Sequence, residues 1–387
     1  MSPDPTMTDE QSVLIEAARD FARGELLDRD RAWDDDESSM AEMLPQLAEM
    51  GFMNLCIPEE LEGLGCSYRL YADILHEIAY ASPSTAVALA VHNMVGKILV
   101  EYASPSMRSE WLTQWGKAES FAAFAISEAG AGSDPAASKT DARRVDGGYR
   151  VTGEKMWITN GMHARWFLTL VRTDPAAGKA GLSAVLVDGD EQGLSRDKIR
   201  GKMGLRASDT AVIHYEDAFV PDEYLLGAEG DGMKVCLSAL DGGRIGIAAQ
   251  ATGMSEACLD EMVSYAKQRE QFGQPIASFQ AVQHMLADSD VELSASLALI
   301  REAADAVDAG KPNPSASAKA KLFATEAANR IAYRAIQVHG GAGYVKECRV
   351  EQLARDARAT TIYEGTSEIQ RIVIARELLR NSGQSMP

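Results

Sequence analysis

Residues 148–160 read GYRVTGEKMWITN, and this stretch decides the fold class. It is rich in β-branched and aromatic residues and bounded by Gly and Asn, which is the texture of a strand. Three similar runs follow: WFLTLVR (166–172), LSAVLVD (182–188) and TAVIHYEDAFV (210–220), parted by Gly, Asp and Pro turns. Residues 121–228 therefore read as a small antiparallel β barrel or sandwich.

The pattern on both sides is helical. Leu14, Ala17, Ala18, Phe21 and Leu26 recur at near-helical spacing. Breaks follow at Asp34, Asp35 and Asp36, and from Ile57-Pro58 to Gly65. Residues 86–100 form a further apolar, helix-like stretch that reads as buried. Beyond the strands, Leu259, Met262, Val263 and Ala266 share a stripe, as do Val282, Met285, Leu286, Leu293, Leu297 and Ile300. Long stripes with short breaks, such as Gly310-Lys311-Pro312-Asn313-Pro314, predict an antiparallel bundle. The expected architecture is an α+β multidomain chain. It comprises an N-terminal helical domain (1–120), a middle β domain (121–228) and a C-terminal four-helix bundle (229–387), which suits a length of 387 residues.

Composition excludes some functions. With 38 basic and 57 acidic residues the formal charge is −19, so the surface repels nucleic acid and anionic membrane. Solubility, or adaptation to a salty cytoplasm, accounts for such a charge. No apolar run approaches the ~20 residues that span a bilayer. The five cysteines, Cys56, Cys66, Cys236, Cys258 and Cys348, are widely spaced, with neither metal-ligand nor disulfide patterning. The acidic start, MSPDPTMTDE, resembles no signal or transit peptide. A bacterial cytoplasmic protein is expected; a mitochondrial matrix protein stripped of its transit peptide fits the same residues.

Five segments could carry chemistry. In IYEGTSEIQ (362–370), Ser367 and Gln370 have capping-box spacing, so a helix is expected to begin there. Glu364 then lies in the preceding loop beside permissive Gly365, among apolar neighbours whose burial would raise its pKa and make it a base. An exposed glutamate favoured by the helix dipole fits the same local sequence. ISEAGAGSD (126–134) is either a ligand-hugging loop or an ordinary Gly-rich turn. In KMWITNG (155–161), Trp157 is either core or a cofactor contact. QVHGGAGY (337–344) is either a helix C-cap or bare backbone for a phosphate-bearing ligand, with His339 read as packed or capping. Arg269 of REQFG (269–273) is either surface charge or a pyrophosphate clamp.

Taken together and in this order, AISEAGAGSD, KMWITNG, GLRASDT (204–210), REQFG, QVHGGAGY and IYEGTSEIQR resemble the acyl-CoA dehydrogenase family over nearly the whole chain. LDGGRIGIAAQA (240–251) points to the short-chain, butyryl-CoA branch. The resemblance implies non-covalent FAD, a homotetramer built as a dimer of dimers, and an electron-transferring flavoprotein as electron acceptor. It assigns Phe124, Ile126, Ser127, Trp157, Thr159, Thr366 and Glu368 to FAD. Arg269, Gln271 and Phe272, with Gln337, Val338, His339, Gly340 and Gly341, are assigned to the FAD of a neighbouring subunit. Ser133, Asp241, Arg244 and Gly365 correspond to acyl-CoA contacts. Relatives often carry Thr in place of Ser127 and Tyr in place of Phe124; Ser127 keeps the hydroxyl and Phe124 lacks it.

The implied reaction converts a saturated short-chain acyl-CoA, straight, branched or cyclic, to the trans-2-enoyl-CoA. Glu364 takes the α-proton and the β-hydrogen leaves as hydride to flavin N5. Some relatives place the base one residue before the arginine that matches Arg244; here that residue is Gly243. Glutaryl-CoA dehydrogenases carry an arginine where this chain has residues 84–91, STAVALAV, without a cation. An oxygen-using acyl-CoA oxidase and a non-catalytic acyl-CoA-binding protein on the same scaffold remain as alternative readings.

Overall fold

The computed structural model describes residues 8–108, 121–311 and 313–381. The N-terminal MSPDPTM, the end of the first helical region at 109–120 and Pro312 of the expected break lie outside them. The N-terminal region holds α1 (Asp9–Phe21), α2 (Leu27–Asp36), α3 (Leu44–Glu49), α4 (Tyr68–Ala81) and α5 (Pro83–Tyr102). Ser67 and Ser82 cap α4 and α5: their hydroxyls accept from the Leu70 N–H at 3.2 Å and the Thr85 N–H at 3.1 Å. The 20-residue α5 corrects one expectation, because by length and composition it could cross a membrane. Its most apolar window is 89% buried inside the protein, packed against other elements of the fold.

The middle strands are β1 (Phe121–Ala125), β2 (Asp141–Val145), β3 (Gly148–Thr159), β4 (Ala164–Arg172), β5 (Leu182–Asp188), β6 (Leu194–Lys198), β7 (Thr210–Pro221) and β8 (Leu225–Leu226). They form one eight-stranded sheet in the order β6-β7-β3-β2-β4-β5-β8, with β1 on β4. The sheet is mixed, not purely antiparallel, because β1 runs parallel to β4. It curls on itself: the Tyr215 hydroxyl of β7 lies 2.9 Å from that of Thr169 on β4. Inside the curl pack Tyr149, Val151, Phe167, Val185, Val187 and Ile213. The opposite face of β4 and β5, with Leu168, Leu170, Ala184 and Leu186, packs on Val95, Ile98 and Leu99 of α5. Coverage on both faces explains why WFLTLVR and LSAVLVD are near-continuous apolar runs, whereas one-sided β7 alternates.

The C-terminal region holds α6 (Gly232–Ser238), α7 (Leu240–Gln268), α8 (Gln280–Asp308), α9 (Pro314–His339), α10 (Arg349–Thr360) and α11 (Ser367–Asn381). A short hairpin, β9 (Glu270–Gln271) and β10 (Gln274–Pro275), joins α7 to α8. One apolar core runs from Ile74, Leu75 and Ile78 of α4 through Ile245, Ala249 and Met254 of α7 to Ala324, Ala328 and Ile331 of α9. The two helical regions, far apart in sequence, thus share their burial. Glycines let α4 approach α7 closely. A Cβ on Gly246 would stand 2.7 Å from the Tyr71 hydroxyl, and one on Gly253 would stand 2.3 Å from the His76 carbonyl oxygen.

The second contact is with backbone, which cannot swing aside. Gly253→Ala is therefore expected to lower stability by about 1–3 kcal/mol through overpacking, measured by denaturant unfolding. Gly24→Ala, where a Cβ would meet nothing within 4 Å, serves as the control and should be neutral or mildly stabilising.

Candidate active site

The turn between α10 and α11 is strained and firmly held. Glu364 has φ +52° and Gly365 φ +85°, two consecutive left-handed residues. Glycine adopts this region freely; a glutamate does so only when its surroundings enforce it. The buried Gln370 amide donates to the carbonyl oxygens of Glu364 at 3.1 Å and Gly365 at 2.9 Å. Lys321 of α9 adds a bond from Nζ to the Gly365 oxygen at 2.8 Å. The cap of α11 differs from the expected box. Thr366, not Ser367, accepts the Ile369 N–H at 3.3 Å, because Gln370 is occupied with the turn carbonyls.

Glu364 itself is half-buried, but its Oε2 is sealed from solvent and has no hydrogen-bond partner among the described residues. Its neighbour across the gap is Gly243 of α7, where a Cβ would stand 3.0 Å from Oε2 and 3.0 Å from Met94 Sδ of α5. Burial raises the Glu364 pKa, opposed by the positive charges of Lys321 and Arg244. Arg244 is buried, its Nη1 3.1 Å from Asp241 Oδ1, and its Nε has no partner among the described residues. Asp241 also accepts from the Ser317 hydroxyl of α9 at 2.7 Å. The start of α7, the start of α9 and the 362–366 turn thus converge on one carboxylate.

A second group forms on the sheet. Phe124 and Ile126 are half-buried and pack on the α5 side of the sheet, whereas Ser133 is exposed. The 128–131 segment is a tight turn, with Glu128 and Ala131 exchanging backbone bonds of 3.0 and 3.1 Å. Trp157 does not join the core. It sits at a bulge of β3 with φ +64° and is 59% exposed, next to half-buried Thr159. The Met156 N–H donates to the Ser127 carbonyl at 2.9 Å, which sets Ser127 beside the bulge. Beneath them fully buried Lys155 donates to the Ile126 carbonyl at 3.1 Å, Glu128 Oε1 at 2.8 Å and the Ser138 hydroxyl at 2.8 Å. Burial pushes the Glu128 carboxyl up, but Lys155 and Ser138 outweigh it and hold its pKa at about 2.

The third group lies at the far end of α7. Arg269, Gln271 and Phe272 are exposed, Phe272 by 93%. His339 is packed, as the sequence suggested: it stacks on Tyr265 with centroids 4.3 Å apart, and its Nδ1 lies 2.8 Å from the Ala335 carbonyl oxygen. Val338 is buried, Gln337 and Gly341 are exposed, and Gly340 caps α9 at φ +60°. From Gly243 to Arg269 is 26 residues of continuous helix, about 39 Å at 1.5 Å per residue. The structure brings Glu364, Gly365, Asp241 and Arg244 together, leaves Thr366 and exposed Glu368 beside them at the start of α11, and holds this third group apart.

Sequence reasoning missed Lys155, Lys321 and Gln370. Each had a signal. Lys155 falls on the inward parity of β3, and Lys321 follows Ser317 by one turn on the alanine-rich buried face of α9.

Profiles of the N-terminal, middle and C-terminal domains of acyl-CoA dehydrogenase match residues 8–119, 123–218 and 230–379. The mitochondrial short-chain specific acyl-CoA dehydrogenase of Mus musculus is 41% identical over 371 residues, covering 95% of this chain and 90% of that protein. Butyryl-CoA dehydrogenase from Megasphaera elsdenii has a TM-score of 0.94 at 32% identity, covering 98% of this chain and all of that one, 100%. A chain solved in work on the electron transferring flavoprotein of Acidaminococcus fermentans gives 0.95 at 35% identity, covering 98% and 100%. This chain belongs to the acyl-CoA dehydrogenase family and is an oxidoreductase acting on the CH–CH group.

Proposed function

We propose that the protein oxidises a saturated short-chain acyl-CoA to the trans-2-enoyl-CoA with Glu364 as the base. The observation that carries this reading is the Glu364 Oε2, sealed from water and without a hydrogen-bond partner among the described residues. A carboxylate oxygen in that state is free to accept a proton from carbon, and burial has already raised its basicity. Gly243 presents no side chain to it; a Cβ there would already stand 3.0 Å from Oε2, so glycine keeps that side of the carboxylate bare. The Glu364 backbone N–H serves as one donor to the thioester oxygen, an interaction of the oxyanion-hole kind, worth ~3 kcal/mol. Asp241 and Arg244 face the thioester and CoA portion. The wall running back along α5 from Met94, with Val91, Ala90 and Val87, is buried and apolar, which suits a short hydrocarbon tail.

FAD is the cofactor, and when bound it accepts the β-hydrogen as hydride. The chain fits it: Trp157 is exposed at the bulge, Ser127 and Thr159 bring hydroxyls beside it, and a Cβ on Gly130 or Gly132 would meet nothing within 4 Å. The Cβ positions of Gly273, beyond the far end of α7, and of Gly340 and Gly341, at the end of α9, are equally open. The second group is read as serving the cofactor of a neighbouring subunit. This supports a homotetramer, a dimer of dimers. An electron-transferring flavoprotein is the proposed acceptor, in keeping with the Acidaminococcus similarity. A cytoplasmic location is proposed for a bacterial source.

Three outcomes test this reading. Glu364→Gln should retain FAD and butyryl-CoA binding but reduce the flavin several orders of magnitude more slowly in stopped flow; a near wild-type rate refutes the base. Gly243→Glu combined with Glu364→Gly should recover part of the lost rate, since both positions face one gap. Butyryl-CoA should be turned over far better than glutaryl-CoA, whose distal carboxylate would be buried against Val87, Ala90 and Val91 without a partner.

Stability should follow the pKa. A carboxyl raised in the folded state contributes stability below its unfolded pKa, and loses it as pH rises through the folded value. Glu364→Gln stays neutral throughout. Its melting temperature should exceed that of wild type by more at pH 8 than at pH 5, measured by differential scanning fluorimetry.

A further inference from the structure

Lys321 is fully buried on α9, yet nothing in the chemistry above uses it. Its Nζ donates to the Gly365 carbonyl at 2.8 Å, one residue from the base. The charged groups that act on it come from three other elements: Glu364 in the turn, Arg244 on α7 and Glu368 on α11. Arg244 already has Asp241 at 3.1 Å. The nearest commitment of Lys321, by contrast, is to a neutral carbonyl. Burial pushes its pKa down to about 8 against the pull of Glu364, so it still holds its proton at neutral pH. In return, Lys321 leads Arg244 among the charges that favour ionised Glu364.

We propose that Lys321 is the positioning residue of the base: it clamps the left-handed 364–365 turn through the Gly365 carbonyl and supplies the fixed positive charge that Glu364 faces. The inference rests on Glu364 being the base. The arrangement has a chemical logic. A direct ion pair would occupy the carboxylate oxygen that must take the proton. A cation bonded one peptide away compensates the charge and leaves Oε2 free. Gln370 holds the same carbonyl from α11 without a charge, so the two donors divide the work: both fix the turn, and only Lys321 acts on the ionisation.

The test is flavin bleaching by butyryl-CoA in single turnover from pH 5.5 to 9.5. It compares the FAD-loaded wild type, Lys321→Gln, Lys321→Met and Glu364→Gln, with the dissociation constant of a non-reacting acyl-CoA analogue measured alongside. Lys321→Gln can still donate to the carbonyl but has no charge. Its rising limb should move to higher pH by about one unit or more, with a rate at least tenfold below wild type at pH 6 and within threefold at pH 9. Analogue affinity should change less than threefold. Lys321→Met should show the same shift and a lower plateau as well. If Lys321→Met fails to fold, Lys321→Gln alone decides. An unmoved limb in Lys321→Gln, with Glu364→Gln inactive, overturns the proposal and leaves the base in place. Normal bleaching by Glu364→Gln overturns the base and this inference with it.

Discussion

A carboxylate withdrawn from water, with no hydrogen bond to its outer oxygen, is the constraint on which the site depends. Isolated in a protein interior, such a charge would simply take up a proton. Here Glu364 is kept useful by cations that do not touch that oxygen: Lys321, bonded to the next residue's carbonyl, and Arg244, held by Asp241. The cost is met structurally. Two left-handed residues, a buried glutamine and a buried lysine are all spent on one six-residue turn between α10 and α11. The packing of α4 on α7 follows the same requirement. Gly242, Gly243 and Gly246 leave the start of α7 bare, so Tyr68, Tyr71 and Met94 can close around the gap that Glu364 enters.

The sheet solves a parallel problem with a direct ion pair. Lys155 and Glu128 are both withdrawn from solvent, and here contact is tolerable because neither needs to react. The pair gains six further hydrogen bonds: Lys155 to the Ile126 carbonyl and the Ser138 hydroxyl, and Glu128 from the Lys139 and Thr140 N–H groups and the Ser138 and Thr140 hydroxyls. Removing one partner would leave an uncompensated charge in the core, so the pair enforces its own geometry. What it fixes is the loop carrying Ser127 against the bulge carrying Trp157. A flexible Gly-rich loop is thereby tied down at its base while its small residues remain open on the outside.

The large elements were legible because burial on a given face leaves a period in the sequence. β4 and β5, covered on both faces, read as runs; β7, covered on one, alternates; α5 reads as an apolar block. Short, alanine-rich β1, FAAFA, escaped notice although it is almost fully buried, and β2 and β6 escaped because they have little to bury. β2, DARRV, turns only Ala142 fully inward, and β6, LSRDK, buries no residue completely. The cap of α11 was misread for a related reason: Ser367 and Gln370 have the right spacing, but Gln370 has stronger business with the turn. Local sequence also left Glu364 ambiguous. Its burial comes from Gly243 and Met94, and its charge balance from Lys321 and Arg244, all remote in the chain. Only the resemblance of the whole motif set singled it out beforehand.

The length of α7 ties the site to assembly. One end of this helix carries Gly243 and Arg244; the other delivers Arg269 and the hairpin with Phe272. A continuous α-helix of 29 residues holds its ends apart rigidly, so no loop rearrangement within one chain can bring the two groups together. Phe272 is almost wholly exposed and left-handed at φ +52°, and the glycines at 273, 340 and 341 have open space around them. Within its own subunit Phe272 makes one edge-to-face contact, with Phe279 at 6.0 Å between centroids, and the rest of the ring and the bare backbone near it are open. Their geometry suits contact with another copy. The helix whose bare start faces the base is thus also the spacer that sets the distance from the site to this exposed surface.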